Sequence, residues 1–222
     1  MIIEMGRSRM ALNFPEPLYQ QAYRELKRLI VTGKLQPGEK VIMSKLAEQY
    51  EISRTPLREA LRQLQTEGLI VQTHSTMKIV ELDKKDFLDL YETRTILEKE
   101  IVGMIVPLVP PEDFSELENL LSKSKEAMAE EDPYKILELN TSFHEKLMNY
   151  CPNLRMVQLL NHVRSLLLIY RANINKKAKN NLEIYKEHLE ILKAIKARDV
   201  QQAKQLIEVH MQNDQKRGLE DL

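Results

Sequence analysis

Three histidines carry the first chemical signal in this 222-residue sequence. His144 shares a helical face with Leu137, Asn140 and Met148; His188 is flanked by Ile184, Leu192 and Ile195; His210 lines up with Ala203, Leu206 and Ile207. Each imidazole thus points toward an interior, where its ring nitrogens need partners. Three converging imidazoles on three helices suit a divalent transition metal: Zn2+, with Ni2+ or Mn2+ as alternatives. Asn140 lies one turn before His144 and faces the same point, so it offers a neutral oxygen ligand. The plainer reading is three hydrogen-bonded core histidines. Arg94 shares its face with Phe87, Leu90, Tyr91, Leu97 and Ile101. A guanidinium aimed into an apolar face needs an anion. That anion is either Glu98, one turn on, or a small carboxylate effector held jointly by Arg94 and an open metal position. His162, on a helix apolar almost all round, reads as a core or pocket-wall residue.

A second constellation lies near the N-terminus, in Arg54-Thr55-Pro56-Leu57-Arg58. At helical spacing, Leu57, Ala60, Leu61 and Leu64 form one face, while Thr55, Arg58 and Arg62 lie on the other. A recognition helix needs this division, one side for packing and one for a DNA groove. Arginine reads guanine through a bidentate contact. Ser53 and Thr55, at the helix start, suit a phosphate. The competing reading is an amphipathic helix with a solvated cationic face.

The elements that must position these residues divide the chain. Residues 1–15 have no period and read as a flexible tail. A domain over residues 16–80 follows. Pro17 opens a helix with Leu18, Ala22, Leu26, Leu29 and Ile30 on one face, and Gly33 ends it. Ser44 is expected to cap a short helix, and Ser53 a second one running to about Glu67, with Gly68 as its stop. Leu69–Val71 and Ile79–Val80 are β-prone runs around a polar segment, which reads as a small hairpin. Residues 81–85 form a candidate linker. From residue 86 to 222 every segment has helical period, with breaks that delimit about six helices. The expected fold is mainly α: a winged helix-turn-helix followed by an all-helical bundle.

The segments Leu35-Gln36-Pro37-Gly38-Glu39, Leu46-Ala47, Ser53 to Leu61, Leu64 and Glu67-Gly68-Leu69-Ile70 resemble the winged helix of the GntR family of regulators. Residues 86–222 resemble the helical effector domain of its FadR-type branch. The resemblance implies a homodimer on a palindromic operator, with DNA contacts at Ser44, Arg54, Thr55 and Arg58 and a wing tip near His74. The wing departs from the family pattern, because Thr76 stands about where the usual glycine falls. The resemblance further implies a metal set of Asn140, His144, His188 and His210. Asn140 stands where an Asp or Asn is found. The segment Tyr91-Glu92-Thr93-Arg94-Thr95-Ile96-Leu97-Glu98 matches the family and favours Arg94 as an effector contact.

Bulk composition agrees with these assignments. Lys and Arg total 33, as do Asp and Glu, so the formal net charge is zero. Residues 1–82 hold 12 basic against 9 acidic side chains, the sign expected of the part that meets phosphate. The single cysteine, Cys151, excludes an intramolecular disulfide and reads as a turn residue. No signal-peptide pattern opens the chain, and no apolar run approaches the roughly 18 residues of a membrane span. A cytoplasmic protein without membrane partners is expected. The function that follows is a ligand-responsive DNA-binding regulator, a repressor whose helical domain binds metal and a small organic acid. Two other readings are a metal-dependent hydrolase with a DNA-binding appendage and a non-sensing architectural DNA binder. The hydrolase lacks a clear general base, since Glu145 and Glu187 each lie about 100° round the helix from the adjacent histidine.

Overall fold

A computed structural model describes residues 16–73, 76–81, 83–174 and 177–220. The expected tail and the wing-tip residue His74 lie outside the described residues.

The N-terminal part runs α1 (Leu18–Val31), β1 (Lys40–Val41), α2 (Met43–Gln49), α3 (Arg54–Thr66), β2 (Ile70–Thr73) and β3 (Thr76–Ile79). Ala22, Leu26 and Ile30 of α1 bury against Leu57, Ala60, Leu61 and Leu64 of α3, the stripe their spacing foretells. Leu18, expected on that stripe, is exposed. Helix α3 ends at Gly68, whose φ of 80° a side chain would resist. The chain reverses there through hydrogen bonds from Gly68 N to Gln65 O and from Leu69 N to Leu64 O, both 3.0 Å.

Local details depart from expectation in three places. The residue before α2 is Ile42, whose backbone is extended, so Ser44 lies inside the helix and does not cap it. Ser53 does precede α3, but its side chain makes no capping bond. The hairpin is longer than the apolar runs indicated and belongs to a three-stranded antiparallel sheet of order β1-β3-β2. Val41 pairs with Met77 and Ile70 with Ile79. Gln72, Thr73, Thr76 and Lys78, between the two runs, are strand because one face of this small sheet meets solvent.

Helices make up the rest: α4 (Lys84–Ile105), α5 (Phe114–Ala129), α6 (Pro133–Met148), α7 (Leu154–Leu166), α8 (Leu168–Ile174), α9 (Ala178–Lys196) and α10 (Val200–Leu219), with a 3-10 turn at Pro111–Asp113. Asp83, Asp132, Asn153 and Asp199 accept backbone N–H bonds at the starts of α4, α6, α7 and α10. Lys84 and Lys85, read as linker, are thus the first turn of α4. The count of helices exceeds expectation because the segment from 154 to 174 divides at the fully buried Leu167. Ile101, Ile105, Leu117, Phe143, Leu147, Ile191, Ile195 and Met211 fill the core among these helices. Cys151 is buried in the turn between α6 and α7.

The two parts share packing. The cluster that holds α1 and α3 continues through Phe87 and Tyr91 of α4, Val163 of α7, Leu167, and Tyr170 of α8. A Cβ on Gly68 would stand 2.6 Å from Leu166, so the end of α3 lies directly against α7. His162 is exposed there and is not a core residue; a Cβ on Gly68 would be 3.5 Å from its ring.

Candidate functional site

Apolar packing of α6, α9 and α10 brings His144, His188 and His210 together, each almost fully buried. Their Nε2 atoms form a triangle with sides of 3.1, 3.2 and 3.4 Å. Outer carboxylates fix the rings. His144 Nδ1 is 3.0 Å from Glu98 of α4, and His210 Nδ1 is 2.6 Å from Glu187 of α9. A carboxylate only accepts, so both Nδ1 atoms donate, and in a neutral imidazole the Nε2 atom then keeps a lone pair. His188 has one Nε2 proton at most to place between them, and its Nδ1 has no hydrogen-bond partner. Burial holds His144 neutral, with its pKa pushed down to about 3, and pushes His188 well below the ordinary imidazole value. Neutral lone pairs converging on one point are a cation's ligands. Two nitrogens on a tetrahedral zinc stand about 3.3–3.4 Å apart, given bonds of about 2.0–2.1 Å. The observed spacing fits that donor set.

Asn140 is buried beside His144, and both line the small cleft that holds the triangle. Its Oδ1 lies 3.3 Å from the Ser124 hydroxyl, which donates to it. Two residues absent from the sequence-derived set, Arg171 of α8 and Asp214 of α10, also line this cleft. Asp214 is four residues beyond His210, so helical spacing offered a signal for it. Nothing in the pattern marked Arg171, because α8 was not foreseen as a separate helix. Glu187 was visible as the neighbour of His188 but points instead to His210 and to Arg217, whose Nη2 it meets at 2.6 Å.

Arg94 is fully buried on α4. Its Nε donates to Glu98 Oε1 at 2.8 Å, and Nη1 is 3.6 Å from Asp214. Glu98 therefore serves both Arg94 and His144. Burial opposes its ionisation, but His144 and Arg94 outweigh that, and its carboxyl is held well below the usual range. The two Nη atoms of Arg94, Nη1 of Arg171 and the buried Tyr91 hydroxyl make no hydrogen bond. Unused buried donors beside a cation's ligands are what an anion would satisfy.

A second face lies on the N-terminal part. Arg54, Thr55, Arg58 and Arg62 are exposed on α3, with Ser53 before it and Ser44 exposed on α2. Ser44, Arg54 and Arg58 line a concavity of about 490 Å³ with Lys40 of β1 and Thr76 and Met77 of β3. Arg62 lies outside this hollow. Lys40 was missed because a two-residue strand leaves no periodic signal.

A winged helix that presents arginines beside a concave face, joined to a helical bundle with a polar centre, defines the class of DNA-binding transcriptional regulators. Residues 18–75 match the family described as "Bacterial regulatory proteins, gntR family", and residues 89–213 match the FCD domain. An HTH-type transcriptional regulator of Bacillus subtilis (strain 168), YdhC, is 32% identical over 91% of this chain and 92% of its own. The HTH-type transcriptional repressor GlaR of Escherichia coli (strain K12) is 28% identical over 85% of this chain and 90% of its own. The solved structure of E. coli McbR/YncC has the same fold, with a TM-score of 0.80 at 24% identity, covering 92% of this chain and 98% of that one. The chain belongs to the GntR family, in the branch that carries an FCD domain. Its relatives are regulators and not enzymes, and among the described residues no helix is long and apolar enough to cross a membrane.

Proposed function

We propose that this protein is a homodimeric repressor of a palindromic operator, controlled by a small organic acid that binds beside a divalent metal in the helical domain. The observation that carries the reading is the triangle of Nε2 atoms at 3.1–3.4 Å, backed by two carboxylates. His144, His188 and His210 would hold the metal, Zn2+ first, with Asn140 completing the set. When bound, the metal supplies a Lewis-acid position for an effector carboxylate. Glu98 and Glu187 fix the orientation of their histidines. Arg94, Arg171 and Tyr91 contribute the donors that neutralise and orient the acid. Repression is argued from GlaR, a repressor of similar length.

On the DNA side, Arg54, Arg58 and Arg62 are the donors, with Ser44, Ser53 and Thr55 set for phosphates. His74 keeps its proposed place at the wing tip on the resemblance alone. The domains proposed are residues 16–80 and 86–222. An effector regulates only if it binds the DNA-competent and incompetent arrangements unequally.

The test begins with a DNA site selected in vitro by the full chain. Arg58→Ala should weaken binding to it by about 1–3 kcal/mol and relax specificity at one position; unchanged affinity would remove Arg58 from the readout. His188→Leu should abolish tight Zn2+ binding while DNA binding persists. Undiminished Zn2+ affinity in that variant would refute the metal assignment.

A further inference from the structure

A groove of about 520 Å³ runs between the DNA-binding part and the helical domain. One wall is α1, through Tyr23, Lys27 and Val31; the other is α6 to α8, through Tyr134, Leu137, Arg164 and Leu168. Its floor holds buried polar atoms that make no hydrogen bond. Arg164 is 5% exposed, and its Nε makes no hydrogen bond. Its other nitrogens find only neutral acceptors, Met148 Sδ at 3.5 Å and the Thr141 carbonyl at 3.3 Å. The Thr141 hydroxyl and Nη1 of Arg171 are likewise buried and unpartnered.

Charge pairing is uneven among the buried arginines. Arg94 has Glu98 and Asp214, and Arg217 has Asp214 and Glu187. Among the described residues no carboxylate stands within ion-pair distance of Arg164 or Arg171. Both guanidinium groups lose proton affinity to burial, Arg164 to about 9; Glu98, outside ion-pair distance, favours the charged form of each, and Arg94 opposes it. A buried guanidinium with no carboxylate at ion-pair distance, on the floor of a roomy groove, calls for an anion. Tyr23, Val31, Tyr134, Leu137 and Leu168 give the groove an apolar stretch, while Glu67, Glu138 and Glu145 also line it, none within ion-pair distance of Arg164.

We infer that this groove is a binding site for an aromatic or otherwise apolar carboxylate, distinct from the histidine centre, with Arg164 gripping the acid and α1 covering the apolar body. The occupant would touch both parts of the molecule at once. On its α1 side it reaches the recognition helix by a short route, because Lys27 and Tyr23 both bond Glu67, the C-cap of α3. A ligand here therefore sets the placement of α3 without passing through the helical core. Arg171 lines both the groove and the histidine cleft, but Arg164 lines only the groove, so the inference stands apart from the metal reading.

The test uses 2-naphthoate, a rigid fluorescent acid, on the full-length protein before and after chelation of metal. The expected result is saturable binding that survives chelation, with hydrogen-exchange protection in both α1 and α6–α7. Arg164→Met should weaken that binding about tenfold or more. Ser142→Phe, which fills the groove from α6 without removing a buried charge, should do the same and decides the matter if Arg164→Met fails to fold. The inference is overturned by absence of saturable binding, by loss of binding on chelation, by indifference to both folded variants, or by protection confined to α9 and α10. Naphthoate binding by a protein that takes up no metal would leave the groove standing and remove the histidine centre; metal uptake without naphthoate binding would do the reverse.

Discussion

Glu98 makes two commitments with one carboxylate, and both can be measured. It holds Arg94 at 2.8 Å and His144 at 3.0 Å. Glu98→Gln should lower metal affinity about 10–100-fold while leaving all three histidines in place, as loss of an orienting partner does; competition against a chelating dye reads this. Arg94→Met should be severe for stability, about 3–5 kcal/mol by denaturant unfolding, because it leaves a buried carboxylate short of its cation. Acid sensitivity follows from the same burial. His144 has a folded pKa of about 3, and His188 is also lowered by burial. An unfolded imidazole titrates near 6.5, so below about that pH the unfolded chain binds protons the folded one refuses. That stabilisation is complete above about pH 6.5 and lost as pH falls toward the folded value. The metal-free protein should therefore melt at progressively lower temperature from about pH 7 to about pH 5, and a flat profile in scanning calorimetry would contradict the neutral assignment. The histidines were legible in the sequence because each sits on an apolar helical face. Arg171 and Glu187 were not, since their roles depend on which helices become neighbours.

At the scale of elements, α3 shows how far local pattern reaches. Its apolar stripe and its glycine stop were readable, and the structure buries Leu57, Ala60, Leu61 and Leu64 as their spacing requires. Gly68 does more than end the helix: with φ at 80° and Leu166 directly above it, the position lets α3 meet α7. Gly68→Ala should cost about 1 kcal/mol or more through the strained φ alone, seen as a lowered thermal midpoint. The sheet was half legible. Its second and third strands carried apolar runs, but β1 is two residues paired to β3 and has no periodicity to detect. The division of α7 from α8 escaped notice for a related reason, since the apolar pattern continues through the break at Leu167.

On the scale of the whole molecule, the boundary drawn at residues 81–85 separates composition more cleanly than packing. One apolar cluster joins α1 and α3 to Phe87, Tyr91 and Tyr170, so rearrangement in the helical domain has a physical route to the recognition helix. The buried polar centre lies further along the same face of α4, where Arg94 and Glu98 follow Tyr91 within two turns. The proposed device pairs a sensor built on three histidines with a reader built on α3. X-ray absorption of the purified full-length protein at the metal edge is the test of the proposed three-histidine centre. The spectrum should show one metal per chain with imidazole nitrogens at about 2.0–2.1 Å, and His210→Ala should lose it. A protein that takes up no metal when Zn2+, Ni2+ or Mn2+ is offered, or whose metal is indifferent to His210→Ala, would contradict the account.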